Sequence, residues 1–378
     1  MTTNIAVLDA FFGDNGKGRC SNDFSPNFDY VIRFNGSNNA GHVVYRDGIK
    51  YNHHLLPCAD YRNKNTKSFL ANGMVISPEK LLEEVLEMEQ SFPGVAKTII
   101  VDPDVFVVLP EHIERDKAEN KHLGTTSQGV GPAYTDKVAR KGVRFYNLIN
   151  DNNETIQTLS KMGVRFIPEL KLREIFKKSN LLFEGAQSIL LDINCSIYPY
   201  CTSSDTTISG AYACGFHWVK FDKVYGAIKP YGTKSGAGPL PTEMSDEDAK
   251  IIRELGGEYG NTTKRARRIS YLDLPAIRYA VKKGGITNLI INKMDILSKQ
   301  KSIKVCHSYG KEEEIYSPND FNDAKPDYIN LPGWNNAKNI DQVLPFLKYV
   351  ESFVGIPVDY IGVGVNKEDL IKIEKKNK

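Results

Sequence analysis

The residues of this chain best suited to chemistry lie near its start, in the stretch LDAFFGDNGKGR from Leu8 to Arg19, behind the apolar run Ile5-Ala6-Val7. A buried strand running into a glycine-rich turn lets backbone N–H groups close on an anionic phosphate, and Lys17 adds a point charge. Gly13, Gly16 and Gly18 give the turn its backbone freedom. The pattern departs from G-x-x-x-x-G-K-[ST], because Phe11 stands at the first glycine and Gly18 at the metal-binding hydroxyl. Asp14 adds a second kind of chemistry. A carboxylate repels phosphate unless a divalent cation lies between them, or unless it acts as a base on another substrate. Taken alone, a glycine-rich turn after a strand is also ordinary structure.

Two further patterns fit the same ligand class. Asn292-Lys293-Met294-Asp295 follows the apolar run Asn288-Leu289-Ile290-Ile291, as guanine-reading motifs follow strands. Asp295 can accept from both N1–H and the 2-amino group of guanine, a donor pair that adenine lacks, while the Lys293 stem can cover the base. The run Thr262-Thr263-Lys264-Arg265-Ala266-Arg267-Arg268 sets four cations beside two hydroxyls. Arginine forks bind carboxylates through two hydrogen bonds, and Gly260-Asn261 predicts a tight turn to aim them inward; a solvated basic loop is the alternative.

These residues need a frame. Short apolar runs at Tyr30-Val31-Ile32, Thr98 to Val101, Leu181-Leu182-Phe183 and Val224 to Ile228 read as buried strands. Helical spacing marks Pro78 to Glu89, Asp246 to Leu255, Leu274 to Val281 and Ile340 to Phe353, the first opened by Ser77 as N-cap with Pro78 at N1. The alternation predicts an α/β fold with a largely parallel central sheet, flanking helices and inserted subdomains around a P-loop-like nucleotide site. The chain of 378 residues reads as one elaborated domain, with an insertion or small subdomain expected over about 150–180. A net charge of +3 implies no broad nucleic-acid field, so the basic residues act locally on small anions. Six cysteines without C-x-x-C pairing or metal-ligand spacing suit a reducing cytoplasm. No run resembles a membrane span or a signal peptide.

Together, and in order, the motifs resemble the adenylosuccinate synthetase family. They are FFGDNGKGR, NNAGH at Asn38 to His42, GTTSQGVGPAYTDKVARKG from Gly124, FEGAQSILLDI from Phe183, YPYCTSSDTT from Tyr198, GTKSGAGPLPTE from Gly232, TTKRARR and NKMD. The resemblance implies a GTP-dependent ligase that phosphorylates O6 of IMP and then lets the aspartate amine displace phosphate. It implies Asp14 as the base at N1 and His42 as donor to the moving phosphoryl group. Mg2+ would sit among the GTP phosphates, Asp14 and the Gly41 carbonyl. GTP would be held by Gly13, Asn15, Gly16, Lys17, Gly18, Lys293, Asp295 and Gly364. Asn39, Thr126 and Thr202 would contact the acceptor 5'-phosphate, with Gln187 near its base and Ser235 near its ribose. Arg140 would reach that phosphate from a second subunit, which makes the expected assembly a homodimer. Thr262, Thr263, Arg265 and Arg267 would take the aspartate carboxylates.

Departures from the family pattern bear on substrate choice. Phe12, Asn15 and Arg19 alter the first motif, Gln128 replaces an arginine, Lys264 and Ala266 alter the basic run, and Ser235 replaces a valine. Cys20 to Asn27, with Pro26 and few apolar residues, predicts weak packing where the family has an amphipathic helix. One alternative is a phage-type relative that uses dGMP on the route to 2-aminoadenine; retention of Asp14 favours IMP. Another class is a switch-type GTP-binding protein or an inactive homologue, against which His42 and the Thr-Arg run argue.

Overall fold

Apolar runs that end in a polar residue build the frame. In this computed structural model, which describes residues 2–260, 265–312 and 314–374, ten strands form one sheet. In chain order they are β1 (Asn4–Asp9), β2 (Tyr30–Arg33), β3 (Lys67–Leu70), β4 (Ile99–Val101), β5 (Arg165–Phe166), β6 (Leu181–Glu184), β7 (Lys223–Ile228), β8 (Asn288–Ile291), β9 (Val358–Gly362) and β10 (Leu370–Lys372). Across the sheet the order is β10-β9-β8-β7-β1-β6-β2-β3-β4-β5, all parallel except β10. Ala6 and Leu8 enter one hydrophobic core, and Ile5 and Val7 the other, so β1 is covered on both faces, as parallel sheets require. The mixed α/β architecture expected from sequence is present.

The anticipated helices form at Pro78–Ser91, Asp246–Gly256, Leu274–Gly284 and Ile340–Val354. Ser77 caps the first of them by accepting from Lys80 N at 3.3 Å. The segment expected as an insertion, 150–180, supplies helices Glu154–Met162 and Glu169–Phe176 with β5 between them. β5 pairs with β4 at the edge of the large sheet.

One expectation is corrected. Cys20 to Asn27 is well packed: helix α1 (Lys17–Phe24) buries Cys20, Ser21, Asn22 and Asp23. Its buried face is polar but supplied with partners, since Asn22 Nδ2 donates to Ala59 O at 2.9 Å and Asp23 pairs with Arg19 and Arg46. Pro26 lies beyond α1, in the short 3₁₀ turn Ser25–Asn27, where its missing N–H breaks no helical bond.

Two smaller layers complete the frame. A hairpin pairs His42–Arg46 with Ile49–His53. A four-stranded sheet, in the order Tyr231–Lys234, Arg268–Asp273, Ser302–Tyr309, Pro326–Pro332, fixes the base of the basic run. Among the described residues, no helix is long and apolar enough to cross a membrane.

Candidate active site

Ligands of open parallel sheets bind beyond the carboxyl ends of the strands. Here those ends carry Asp9 on β1, Arg33 on β2, Glu184 on β6 and, just past β7 and β8, Lys229 and Asn292. All five are buried.

Asp9 shapes the glycine-rich turn. It accepts from Phe11 N and Asn15 N, both at 3.2 Å, and from Asn15 Nδ2 at 2.6 Å, and Lys17 Nζ lies 3.6 Å from it. Burial raises its carboxyl above the ordinary value, against the pull of Lys17 and Asn15. Asn15 therefore turns inward, with its amide and side chain committed to Asp9. Gly16 has φ 81°, and a Cβ there would stand 2.9 Å from Asn292 Nδ2. The Asn292 amide donates to Asn15 O at 2.7 Å, tying the phosphate turn to the base motif. Gly18 serves packing: a Cβ would lie 2.8 Å from His42 Cβ and 2.9 Å from Cys58 Sγ.

His42 begins the hairpin, and its Nδ1 meets Glu184 Oε1 at 2.6 Å. Glu184 also accepts from Cys58 N at 2.9 Å and lies 3.5 Å from Arg33 NH1. Burial, with Lys17 and Arg33 nearby, lowers His42 to about 3 against the pull of Glu184. Burial pushes Glu184 up, but the His42 hydrogen bond and the Arg33 charge overcome it and leave it at about 2. At neutral pH this is a neutral imidazole donating Nδ1–H to a carboxylate, which aims Nε2 away from it. The tautomer follows from the acceptor.

A cleft of about 720 Å³ gathers most of the anticipated residues. Gly13, Asp14, Lys17, Asn39, Gly41, His42, Thr126, Gln187, Thr202, Ser235, Arg265 and Arg267 all line it. Asp14 takes the left-handed conformation at φ 57°. Gln187, also left-handed at φ 56°, donates to Asn39 Oδ1 at 3.3 Å and leaves its own buried Oε1 without a partner. Gln128, where an arginine was expected, accepts from Asn38 Nδ2 at 2.9 Å.

The described ends of the basic run are pinned: Gly260 N donates to Arg265 O at 2.8 Å and Arg267 N to Glu258 O at 3.0 Å. Thr262 and Thr263 lie outside the described residues. Arg267 is buried, with NH1 on Glu258 Oε2 at 2.7 Å. Its Nε stands 3.1 Å from Asp14 Oδ2, yet the angle makes no hydrogen bond, so this ion pair leaves a buried N–H still seeking an acceptor.

The base motif lies outside this cleft, where β8 and β9 end side by side. Asp295 Oδ1 is buried without a hydrogen-bond partner, and burial raises the Asp295 carboxyl. The Lys293 head is anchored to Gly256 O at 2.6 Å and Glu258 Oε1 at 2.8 Å, which leaves its stem to flank a base. Gly364 packs on the neighbouring loop; a Cβ there would meet Asp369 Oδ2 at 2.4 Å. Arg140 is the outlier, exposed and left-handed at φ 63° just after helix Val130–Val138 and away from this chain's cleft.

Asp9, Arg33, Glu184, Lys229, Glu258 and Lys234 escaped sequence reasoning as site residues. The first four share a visible signal, a charged residue at the end of an apolar strand run. Lys234 lies over the Phe12 ring at 5.1 Å with no hydrogen bond or ion pair among the described residues, and burial beside Arg268 lowers it to about 8. For Mg2+, the Asp14 carboxylate and the Gly41 carbonyl at the cleft offer hard oxygen donors, a set that suits this ion together with phosphate oxygens and water.

The chain is similar to known proteins over nearly its whole length. The family model described as adenylosuccinate synthetase matches residues 6–176 and 155–371. The adenylosuccinate synthetase of Petrotoga mobilis is 38% identical over 406 residues, covering 97% of this chain and 96% of that one. The fully ligated adenylosuccinate synthetase from Plasmodium falciparum superposes with a TM-score of 0.85 at 28% identity, covering 98% and 99%. A cyanophage S-2L succinoaminodeoxyadenylate synthetase bound to dGMP and dATP shares the fold, with a TM-score of 0.73 at 21% identity over 98% and 95%.

Proposed function

Since this chain belongs to the adenylosuccinate synthetase family, we propose that it is a GTP-dependent ligase joining L-aspartate to carbon 6 of IMP, with adenylosuccinate, GDP and phosphate as products. One observation carries the reading. A single cleft brings together a turn carboxylate, a histidine fixed by a buried glutamate, and an arginine whose buried Nε–H lacks an acceptor.

In this reading Asp14 accepts the N1 proton as O6 attacks the terminal phosphorus of GTP, and His42 donates from Nε2 to the transferring group. Without ligands, burial above all, with Lys17 and Arg33 beside it, keeps His42 neutral. Phosphate oxygens beside Lys17 offset that charge and let Glu184 favour the imidazolium. The aspartate amine then attacks C6 and phosphate leaves. Arg265 and Arg267 take the aspartate carboxylates, joined by Thr262 and Thr263. Asp14 and Gly41 would hold Mg2+, which when bound would neutralise charge on the phosphates. Lys17 and the turn amides hold the donor, with Asn15 shaping the turn through Asp9. The unsatisfied Asp295 oxygen supports guanine over adenine, since guanine brings the donors it lacks. The unsatisfied Gln187 oxygen supports its place near the acceptor base, with Asn39, Thr126 and Thr202 toward the phosphate and Ser235 toward the ribose. The exposed position of Arg140 supports service to the cleft of a second subunit, hence a homodimer. Six free thiols support a cytoplasmic setting.

The test offers IMP, GMP and dGMP in parallel with GTP, Mg2+ and aspartate, and follows the succinyl-nucleotide by mass. Product from IMP alone is expected. Product from dGMP alone moves the acceptor assignment to the 2-aminoadenine route, and GTP hydrolysis without any product overturns the ligase reading.

A further inference from the structure

Glu258 sits where three parts of the proposed site converge. Its side chain is fully buried, and Oε1 accepts from Lys229 Nζ at 2.9 Å, Tyr231 OH at 2.8 Å and Lys293 Nζ at 2.8 Å. Oε2 accepts from Arg267 NH1 at 2.7 Å. Beyond these partners the contacts continue. Arg267 reaches Asp14, Lys293 reaches Gly256 O, and Lys229 donates to Thr233 Oγ1, which donates to Gly13 O at 3.1 Å. One carboxylate thus touches the basic run, the base motif and, through Lys229 and Thr233, the phosphate turn.

The charge count makes the arrangement directional. Three cations surround one carboxylate, and removing it leaves three like charges crowded in a buried space. Arg267 and Lys293 would then repel each other and leave their present geometry. Arg267 is held through Oε2 and Lys293 through Oε1 of one carboxylate, so a change in its charge or orientation reaches both cations.

We propose that Glu258 is a positioning residue shared by two substrate sites, fixing Arg267 for the aspartate carboxylate and Lys293 beside the donor base. The proposal rests on the functional reading above. Among the described residues Asn39, Thr126 and Gln187 share no hydrogen bond or ion pair with the Glu258 cluster, which meets the acceptor side only through Asp14, so the acceptor KM is expected to move least.

Steady-state kinetics of the full chain test it, with each substrate varied in turn. E258Q is expected to raise KM for aspartate and KM for GTP about tenfold or more each, the effect of losing a charged hydrogen bond, with KM for the acceptor within about twofold. A merely structural role would lower kcat through loss of active enzyme and leave all three KM values alone. In an R267A background, E258Q should add nothing to KM for aspartate while still raising KM for GTP; in K293M the pattern should invert. E258D keeps the charge and should recover part of both effects, and it reads the same two constants if E258Q does not fold. Unchanged KM values, or a parallel rise in all three, overturn the proposal. Absence of product from the unaltered protein overturns the functional reading instead.

Discussion

Replacing Glu184 by Gln keeps the shape of a buried carboxylate and removes its charge. Its two oxygens now serve His42 Nδ1 at 2.6 Å, Cys58 N at 2.9 Å and, more loosely, Arg33 NH1 at 3.5 Å. The amide has one acceptor oxygen for these donors, and its NH2 must face at least one of them. With the oxygen on Cys58, the NH2 faces His42 Nδ1 and drives the ring proton to Nε2, while the fully buried Arg33 loses its counter-charge. Removing one partner of a buried pair costs about 3–5 kcal/mol of stability. The chemical loss falls on the imidazolium that the carboxylate supports. A charged hydrogen bond of about 1.5–3 kcal/mol corresponds to a fall in kcat of roughly 10- to 100-fold. Urea denaturation followed by tryptophan fluorescence measures the first quantity, and saturating turnover across pH measures the second. A folded E184Q protein with the original kcat and pH profile would falsify the assignment of His42 as a donor set by Glu184.

Other substitutions probe single contacts. Asp295→Asn should weaken GTP binding about 10- to 100-fold and improve binding of xanthosine triphosphate, whose C2 carbonyl meets the new amide donor; competition binding reads both, and unchanged GTP affinity argues against a guanine site. Gly18→Ala places a Cβ 2.8 Å from His42 Cβ, so kcat should fall up to about 100-fold with substrate KM values little moved, and an unaltered rate shows that His42 position is not critical. Arg267→Ala removes a fork aimed at the cleft and should raise KM for aspartate about tenfold or more, whereas a KM unchanged for aspartate removes it from that role. His42 and His53 are held by burial at about 3 and about 4, below the ordinary 6.5, so the unfolded chain takes up protons first. Their contribution to stability is complete above pH 6.5 and declines as pH falls toward 4; equal urea midpoints at pH 7 and pH 5 contradict it.

The frame was legible because parallel strands covered on both faces are short, continuous apolar runs, and Tyr30 to Ile32, Leu181 to Phe183 and Asn288 to Ile291 are such runs. Ser77-Pro78 marked a helix start for a local reason, and the structure keeps it. Legibility failed where the decisive contact is distant in sequence. Helix α1 looked poorly packed because its buried residues are polar, and their partners Arg46 and Ala59 lie more than one element away. Asn15 stands inside a phosphate-type turn, yet Asp9 claims both its amide and its side chain. Glu184 was inside a quoted motif, but its importance rests on His42, 142 positions distant. Lys293 and Arg267 were each visible as binding residues, whereas the carboxylate that joins them belongs to neither motif.

The buried polar residues at the strand ends separate two properties that loops usually carry together. Asp9, Arg33 and Glu184 are anchored in the sheet itself and Lys229 follows β7 directly, so the charges that govern the chemistry stay fixed when a connecting segment changes. The walls of the cleft at 124–126, 198–203 and 234–237 are loop or loop-edge residues without that duty. Acceptor preference is therefore separable from the reaction. A library confined to those walls, with Thr126 and Thr202 kept, should return mostly folded, active protein with altered nucleotide choice, while equal diversity at the strand ends should return little that works at all.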